Sequence, residues 1–175
     1  ADEDVKINGG NVNVAMSYEG IEGQSITIHD GDINVISSDD GFNAVSADSS
    51  SSGGFPGDMH SVDEKCQINI NGGYVFMNTE GDGVDSNGNV DMSDGTLIVF
   101  GPQNGGNGAL DYAGAFNISG GTLLALGSAG MAQSVTGGDN VRVYAYNYSQ
   151  SKDVLSAITD SNGELFIAFR CPKPY

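Results

Sequence analysis

A short pattern that recurs five times limits the folds open to this chain more than any other feature of its sequence. The five segments are VKINGGNVNV from Val5, ITIHDGDINV from Ile26, ININGGYVFM from Ile68, VDMSDGTLIV from Val90 and FNISGGTLLA from Phe116. Because apolar residues alternate with polar ones on both sides of a central glycine, each segment predicts two very short strands with one buried face. The glycine predicts a bend that needs a positive φ angle or a close backbone approach.

The spacing of these bends predicts the fold class. The second residue of each central pair is Gly10, Gly31, Gly73, Gly95 or Gly121, so the intervals are 21, 42, 22 and 26 residues. The interval of 42 corresponds to two periods and contains a stretch rich in serine and glycine. A period of about 21–26 residues with three short strands per repeat is typical of an all-β solenoid, most often a parallel β-helix. A leucine-rich repeat is disfavoured because the chain lacks the LxxLxL run.

The length of 175 residues fits one domain that buries its own core, so we expect a single β-helix domain over residues 1–175. The stretch DSSSSGGFPGD, residues 48–58, predicts an inserted loop. No signal peptide is visible before the first repeat, and we therefore expect a mature piece of a longer chain.

The acidity of the chain restricts its partners. It carries 23 acidic residues against 6 Lys and Arg residues, which gives a formal net charge of −17. Such a surface repels the phosphates of nucleic acids and of anionic membranes, so we expect no nucleic-acid partner. No apolar run approaches the ~18 residues that a membrane span needs. Divalent cations are the natural partners of so many carboxylates.

A second short motif follows each glycine bend and repeats acidic residues in order. It reads EGIE (19–22), DGFN (40–43), DGVD (82–85), GALD (108–111) and AGMA (129–132). If the central apolar residue of each motif points inward, Met131 of the last motif included, the flanking residues stack outside the core at ~4.8 Å. The first row contains Glu19, Asp40 and Asp82, with Asp39 beside it, and the second contains Glu22, Asn43, Asp85 and Asp111.

Carboxylates this close repel one another unless a cation neutralises them. Calcium suits such an arrangement, because it takes about 6–8 oxygen ligands at roughly 2.3–2.6 Å in irregular geometry. We therefore predict a calcium ion that bridges neighbouring repeats. The predicted ligands are Asp39, Asp40, Asn43, Asp82, Asp85, Asp111, Glu19 and Glu22. The alternative is that each Asp-Gly pair only forms a turn.

Several of these segments occur in the order found in one bacterial family. The repeats together with SDDGFNAV, EGDGVDSNG, GTLIVFGPQNGGNGALDYAG and ISGGTLLALGSAGMAQ resemble the carbohydrate-binding domain-containing proteins. The resemblance runs from Val5 to Met131 and implies a right-handed parallel β-helix similar to that of pectate lyases. It also implies a secreted or cell-surface location, structural calcium, and binding of plant or cell-wall polysaccharide, either cellulose or acidic pectin-like chains.

A row of aromatic side chains is the candidate glycan site. In VRVYAYNY, residues 141–148, inward-facing Val141 and Val143 would leave every second side chain on the outer face. The predicted glycan row is Arg142, Tyr144, Tyr146 and Tyr148. Aromatic rings offer flat faces on which sugars stack, but the same row also suits an outer strand that a loop or a neighbouring chain covers.

Catalysis has little support in the residues. A lyase that acts on polygalacturonate needs a base, generally Arg or Lys, and none of the basic residues lies within the acidic motifs. Asn43 also stands where the similar calcium motif of pectate lyases has Asp. The leading hypothesis is a calcium-stabilised extracellular binder that does not cleave its polysaccharide. Two alternatives stay open: a calcium-dependent pectate lyase-like enzyme, and a structural subunit that self-associates end to end into a fibre or surface layer.

Overall fold

A computed structural model describes residues 3–47, 61–139 and 148–175 of the chain. These residues fall into two compact units, which divide the chain into residues 1–142 and 143–175. The regular elements are mainly short β-strands, so the all-β part of the predicted fold class is confirmed. The predicted loop at residues 48–58 lies outside the described residues.

The strands of the first unit are β1 (Asp4–Ser17), β2 (Ile21–Gly23), β3 (Ser25–Ser37), β4 (Phe42–Ala44), β5 (Gln67–Ile70), β6 (Tyr74–Thr79), β7 (Val84–Ser86), β8 (Asn89–Met92), β9 (Thr96–Phe100), β10 (Leu110–Tyr112), β11 (Phe116–Ile118) and β12 (Thr122–Leu126). The strands of the second unit are β13 (Leu155–Thr159) and β14 (Leu165–Arg170).

The first unit is built from two parallel sheets. The larger sheet has eight strands in the order β11-β8-β5-β3-β6-β9-β12, with β1 paired to β3. The smaller sheet has four strands in the order β10-β7-β4-β2. The second unit contains one antiparallel pair, formed by β13 and β14.

The repeats that the sequence predicts pair with one another in register. Ile26 of β3 pairs with Ile68 of β5, which also pairs with Val90 of β8. Beyond the glycine bend, Ile33 of β3 pairs with Val75 of β6. All five side chains are fully buried. Burial of each contributes about 1.5–3 kcal/mol, so rows of apolar side chains hold the parallel strands in this register.

Backbone geometry requires glycine at the bend between the two strands of a repeat. The φ angle is +122° at Gly31 and +80° at Gly73, in a region that side chains rarely allow. A Cβ atom added to Gly73 would lie 2.7 Å from the carbonyl oxygen of Gly31 on the neighbouring repeat. The predicted glycine bends are therefore confirmed, and they let successive repeats approach closely.

The predicted fold class, a right-handed parallel β-helix with coils of about 21–26 residues, is wrong. The parallel sheet of the first unit forms a half-barrel, and β13 and β14 pair in an antiparallel manner that a parallel β-helix lacks. In addition, β1 and β3 run without a break through their glycine bends, where separate strands were expected. Alternation and spacing determine which residues face inward and which strands pair. They do not determine how far a sheet curves, and that curvature decides between a half-barrel and a closed coil.

Candidate metal centre

The small parallel sheet positions the acidic motifs. Ile21 of β2 pairs with Phe42 of β4, Phe42 pairs with Val84 of β7, and Val84 pairs with Leu110 of β10. These apolar side chains pack in or against the core, so the middle residue of each three-residue strand faces outward. The outward row is Glu22, Asn43, Asp85 and Asp111. The structure thus brings together the second predicted row.

Asp40 and Asp82, from the first predicted row, lie at the turns that precede β4 and β7. The backbone N–H of Asp82 donates a hydrogen bond to Oδ1 of Asp40 over 2.7 Å. The N–H of Gly108 donates to Oδ1 of Asp82 over 2.5 Å. Each carboxylate therefore holds the turn of the next repeat. The row ends at Gly108, because glycine has no side chain with which to continue it.

The two rows meet at Asp40, Asp82 and Asp85, which we call the three-carboxylate cluster. One carboxylate oxygen of each residue lies within 4.8 Å of such an oxygen in both others. Asp40 is 9% exposed, and the other two side chains are partly buried. The turn hydrogen bonds engage Oδ1 of Asp40 and of Asp82, so each residue keeps a second carboxylate oxygen for another partner.

Burial gives the three-carboxylate cluster unusual electrostatics. Loss of hydration raises the pKa of Asp85 to about 8, and repulsion from the neighbouring acids adds to the rise. The pKa of Asp40 is raised to about 7, again mainly by burial. Burial also raises the pKa of Asp82, although the hydrogen bond from Gly108 opposes that rise. Without a cation, the cluster therefore holds protons near neutral pH.

Glu19 and Asp39 extend the acidic surface beside the three-carboxylate cluster. Oε2 of Glu19 is buried and accepts no hydrogen bond within the described part of the chain. Burial, and then repulsion from Asp39, raises the pKa of Glu19. Repulsion from Glu22 acts in the same direction, whereas a hydrogen bond with Asn43 lowers the pKa of Glu19. Asp39, Glu22 and Asn43 thus act on Glu19. These four predicted ligands lie outside the group of three close carboxylates.

Asp111 ends the outward row and contacts a residue that the motif did not identify. Nε2 of Gln133 donates a hydrogen bond to Oδ1 of Asp111 over 2.5 Å. The motif at residues 129–132 forms no strand, and Met131 is 51% exposed, so the prediction that Met131 points inward is wrong. The polar residue that meets Asp111 comes one position later than the motif predicts. A polar residue directly after the motif was the only signal in the sequence.

Most of the predicted glycan row lies outside the described residues, since Arg142, Tyr144 and Tyr146 belong to a segment that the structure does not describe. Tyr148 is described and is 58% exposed. Its ring centroid lies 6.4 Å from that of Tyr175 within the second unit. The row as a whole therefore stays a prediction.

Comparisons with known proteins place the chain in a family. A family model for carbohydrate-binding domain-containing proteins matches residues 1–161, which confirms the family that the repeats suggested. The curated proteins and the solved structures give no match. Within the residues that the structure describes, we find no helix whose length and apolar character would suit a membrane span. The chain therefore belongs to the family of carbohydrate-binding domain-containing proteins.

Proposed function

We propose that this protein binds polysaccharide outside a bacterial cell, that calcium stabilises its fold, and that it does not cleave its ligand. Family membership indicates a polysaccharide partner. The observation that carries the calcium part is the close approach of Asp40, Asp82 and Asp85, whose carboxylate oxygens lie within 4.8 Å of one another. A cation placed among them takes an oxygen from each and removes their mutual repulsion.

The chemistry of the three-carboxylate cluster suits calcium. Calcium prefers oxygen ligands and accepts irregular coordination, with water completing the shell. Asp40 belongs to the turn before β4, whereas Asp82 and Asp85 belong to the next repeat. An ion bound here joins two repeats of the small sheet. Because the ion binds the folded chain and not the unfolded one, calcium stabilises the fold by mass action.

Turn formation alone accounts for only part of the cluster. The backbone hydrogen bonds from Asp82 and Gly108 explain why Asp40 and Asp82 occur at their turns. Asp85 is different, because it lies on the middle of β7 and faces outward beside the other two carboxylates. Burial raises its pKa to about 8, so a bare carboxylate at this position costs folding free energy. A cation bound beside Asp85 would offset this cost, because it stabilises the charged carboxylate.

A location outside the cell is part of the proposal. Calcium sites of extracellular modules typically have dissociation constants of about 10⁻⁴–10⁻³ M. A site with three protein carboxylates, of which Asp40 and Asp85 must first lose protons near neutral pH, fits weak binding of this kind. Polysaccharide of plant or cell-wall origin is also met outside the cell.

Binding without cleavage is favoured by the lack of a base in the acidic motifs. Removal of a proton from a uronate needs a basic side chain within hydrogen-bond reach. Within the described residues, the charged groups that act on Asp40 include Glu19, Asp82 and Asp39, all of them acidic. The competing hypothesis is a calcium-dependent lyase that acts on polygalacturonate.

One experiment tests the binding and the absence of cleavage together. The purified chain is mixed with insoluble cellulose and, separately, with soluble polygalacturonate in the presence of calcium. We expect that a polysaccharide removes the protein from solution. We also expect that the polysaccharide gains no unsaturated or reducing ends. Product formation above the blank would support the lyase, and absence of binding to any polysaccharide would contradict the proposed function.

End-to-end self-association has one observation in its favour. Among the described strand pairs, the 14-residue strand β1 pairs only with β3, at ten positions, so its second edge has no strand beside it. Open edges of this kind are templates for pairing with another chain. Light scattering with and without calcium tests the fibre hypothesis, which predicts particles that grow with protein concentration.

A further inference from the structure

We propose that the outer face of β5, β8 and β11 is the surface that contacts polysaccharide, and that its ligand is a neutral glycan chain rather than an acidic one. This inference rests on the proposed function. The surface is formed by Gln67, Asn69, Asp91 and Asn117, which we call the amide row.

The register of the large sheet brings the amide row together. Asn69 pairs with Asp91, and Asp91 pairs with Asn117, each on the next strand. Their chain neighbours Ile68 and Val90 are fully buried, so the amide row faces away from the core. Asp91 is exposed, and the three amide side chains are partly exposed.

Hydrogen bonds join the amide row into one continuous chain. Nε2 of Gln67 donates to Oδ2 of Asp91 over 2.9 Å and to Oδ1 of Asn69 over 3.3 Å. Nδ2 of Asn117 donates to Oδ1 of Asp91 over 2.9 Å. Nδ2 of Asn69 donates to Oγ1 of Thr27 on β3 over 3.4 Å. Side chains held in this way lose little conformational entropy when a ligand binds, which favours affinity.

The amide row retains the capacity to bind hydroxyl groups. Each carboxamide has two N–H donors and an oxygen with two lone pairs. The bonds that Asn69 donates to Thr27 and Asn117 donates to Asp91 account for one donor of each amide. The carboxylate of Asp91 accepts from two amides and has lone pairs for further donors. Because strands repeat at ~4.8 Å, a polymer that crosses them meets the same kind of group at each strand.

The outer face beyond the glycine bend is less suitable. Ile98 and Phe100 of β9 face outward there, yet they are only 8% and 3% exposed, and Leu124 of β12 is 6% exposed. Apolar side chains that are already covered cannot take part in a hydroxyl-rich contact. The small sheet presents the three-carboxylate cluster, which suits a cation. The amide row therefore offers hydroxyl-binding groups where Ile98, Phe100 and Leu124 offer covered apolar ones.

Charge selects the class of glycan. The chain has a formal net charge of −17, and Asp91 lies at the centre of the amide row. Uronate carboxylates placed on this surface would be repelled. Sugar hydroxyls, in contrast, donate to Asp91 and accept from the amides. The ligand class is therefore a neutral polysaccharide with closely spaced hydroxyls, for which cellulose is the probe.

Depletion of the chain from solution by insoluble cellulose tests the inference, with polygalacturonate plus calcium as the acidic probe. The double variant Asn69→Ala/Asn117→Ala should bind cellulose at least tenfold more weakly. The single variant Asn69→Val should also bind more weakly. It should not weaken strand β5, since valine is a good strand former. The control variant Asn34→Ala removes a similar amide, which donates to Asn13 over 2.7 Å on another row, and should bind like the original chain.

The outcomes separate the two proposals. Unchanged cellulose binding by variants whose melting curve stays cooperative would overturn the amide row as the binding surface and leave the proposed function intact. Binding of the original chain to polygalacturonate alone would do the same, because the acidic glycan would then be the ligand. No binding of the original chain to either polysaccharide would overturn both proposals.

Discussion

Oδ1 of Asp40 accepts the backbone N–H of Asp82 over 2.7 Å, although the two residues belong to different repeats. This bond fixes the turn of the third glycine-bend repeat on the carboxylate of the repeat beside it. It also brings the carboxylates of the two residues into one small volume with Asp85. A hydrogen bond that stabilises the turn therefore concentrates carboxyl groups in one small, partly buried volume.

Stability in the absence of calcium should fall as pH rises from about 5 to about 8. The pKa values of Asp40 and Asp85 are raised to about 7 and about 8, above the value of 3.8 for an unperturbed Asp. A carboxyl whose pKa is raised by folding contributes stability below its unfolded pKa, and this stability is lost as pH rises through the folded pKa. Melting temperatures measured in chelator across this range test the effect. A flat profile, or a rise towards pH 8, would contradict it.

The variant Asp85→Asn should be more stable than the original chain at pH 8 in chelator. The change removes a partly buried charge that has acidic neighbours, and we expect a gain of about 1–3 kcal/mol in the free energy of unfolding. The matched control is Asp32→Asn, which removes the same charge from an exposed position on β3. Urea denaturation of both variants measures the difference. Equal stabilisation by both substitutions would show that net charge, rather than the cluster, is responsible.

The variant Gly73→Ala should be strongly destabilised. A Cβ atom at this position meets the carbonyl oxygen of Gly31 at 2.7 Å, in addition to the strain of a φ angle of +80°. We expect a loss of about 3 kcal/mol or more. Gly10→Ala is the control, because Gly10 has a φ angle of +91° but nothing within 4 Å of the added atom. Its loss should be about 1–2 kcal/mol, and equal losses in urea denaturation would exclude close packing as the cause.

The variant Ile68→Ala should lose about 2–5 kcal/mol of unfolding free energy. Ile68 is fully buried and pairs with Ile26 and Val90 in the apolar row of the large sheet. Ile36→Ala is the control, because Ile36 is 39% exposed on β3 and should lose less than about 1 kcal/mol. Chemical denaturation at one fixed calcium concentration makes the comparison. Similar losses for both variants would contradict the assignment of Ile68 to the core.

The strand pairing and the grouping of the acids were accessible from the sequence because both depend on local periodicity. Alternation around Gly31 and Gly73 determines which side chains face inward, and the matching position in the repeated short motif then places Asp85 beside Asp111. The curvature of the parallel sheet could not be predicted from the sequence, because it depends on how several strands twist together. The predicted β-helix is wrong for that reason.

Two further features depend on contacts that single motifs do not encode. Gln133, one position after the motif, donates a hydrogen bond to Asp111, while residues 129–132 are all exposed, Met131 among them. The amide row depends on hydrogen bonds between Gln67, Asp91 and Asn117, which come from three different strands. Such bonds become visible only when the register of all three strands is known.

Titration of calcium into the chelator-treated chain at pH 7 tests the central proposal most directly. We predict binding that releases protons, because Asp85 must lose a proton before its carboxylate can bind the ion. The melting temperature should rise in parallel. Asp85→Asn should lose both effects, and Asp32→Asn should retain them. A chain that binds no calcium in calorimetry and melts at the same temperature with and without the ion would contradict the account, and the acidic motifs would then serve only as turns.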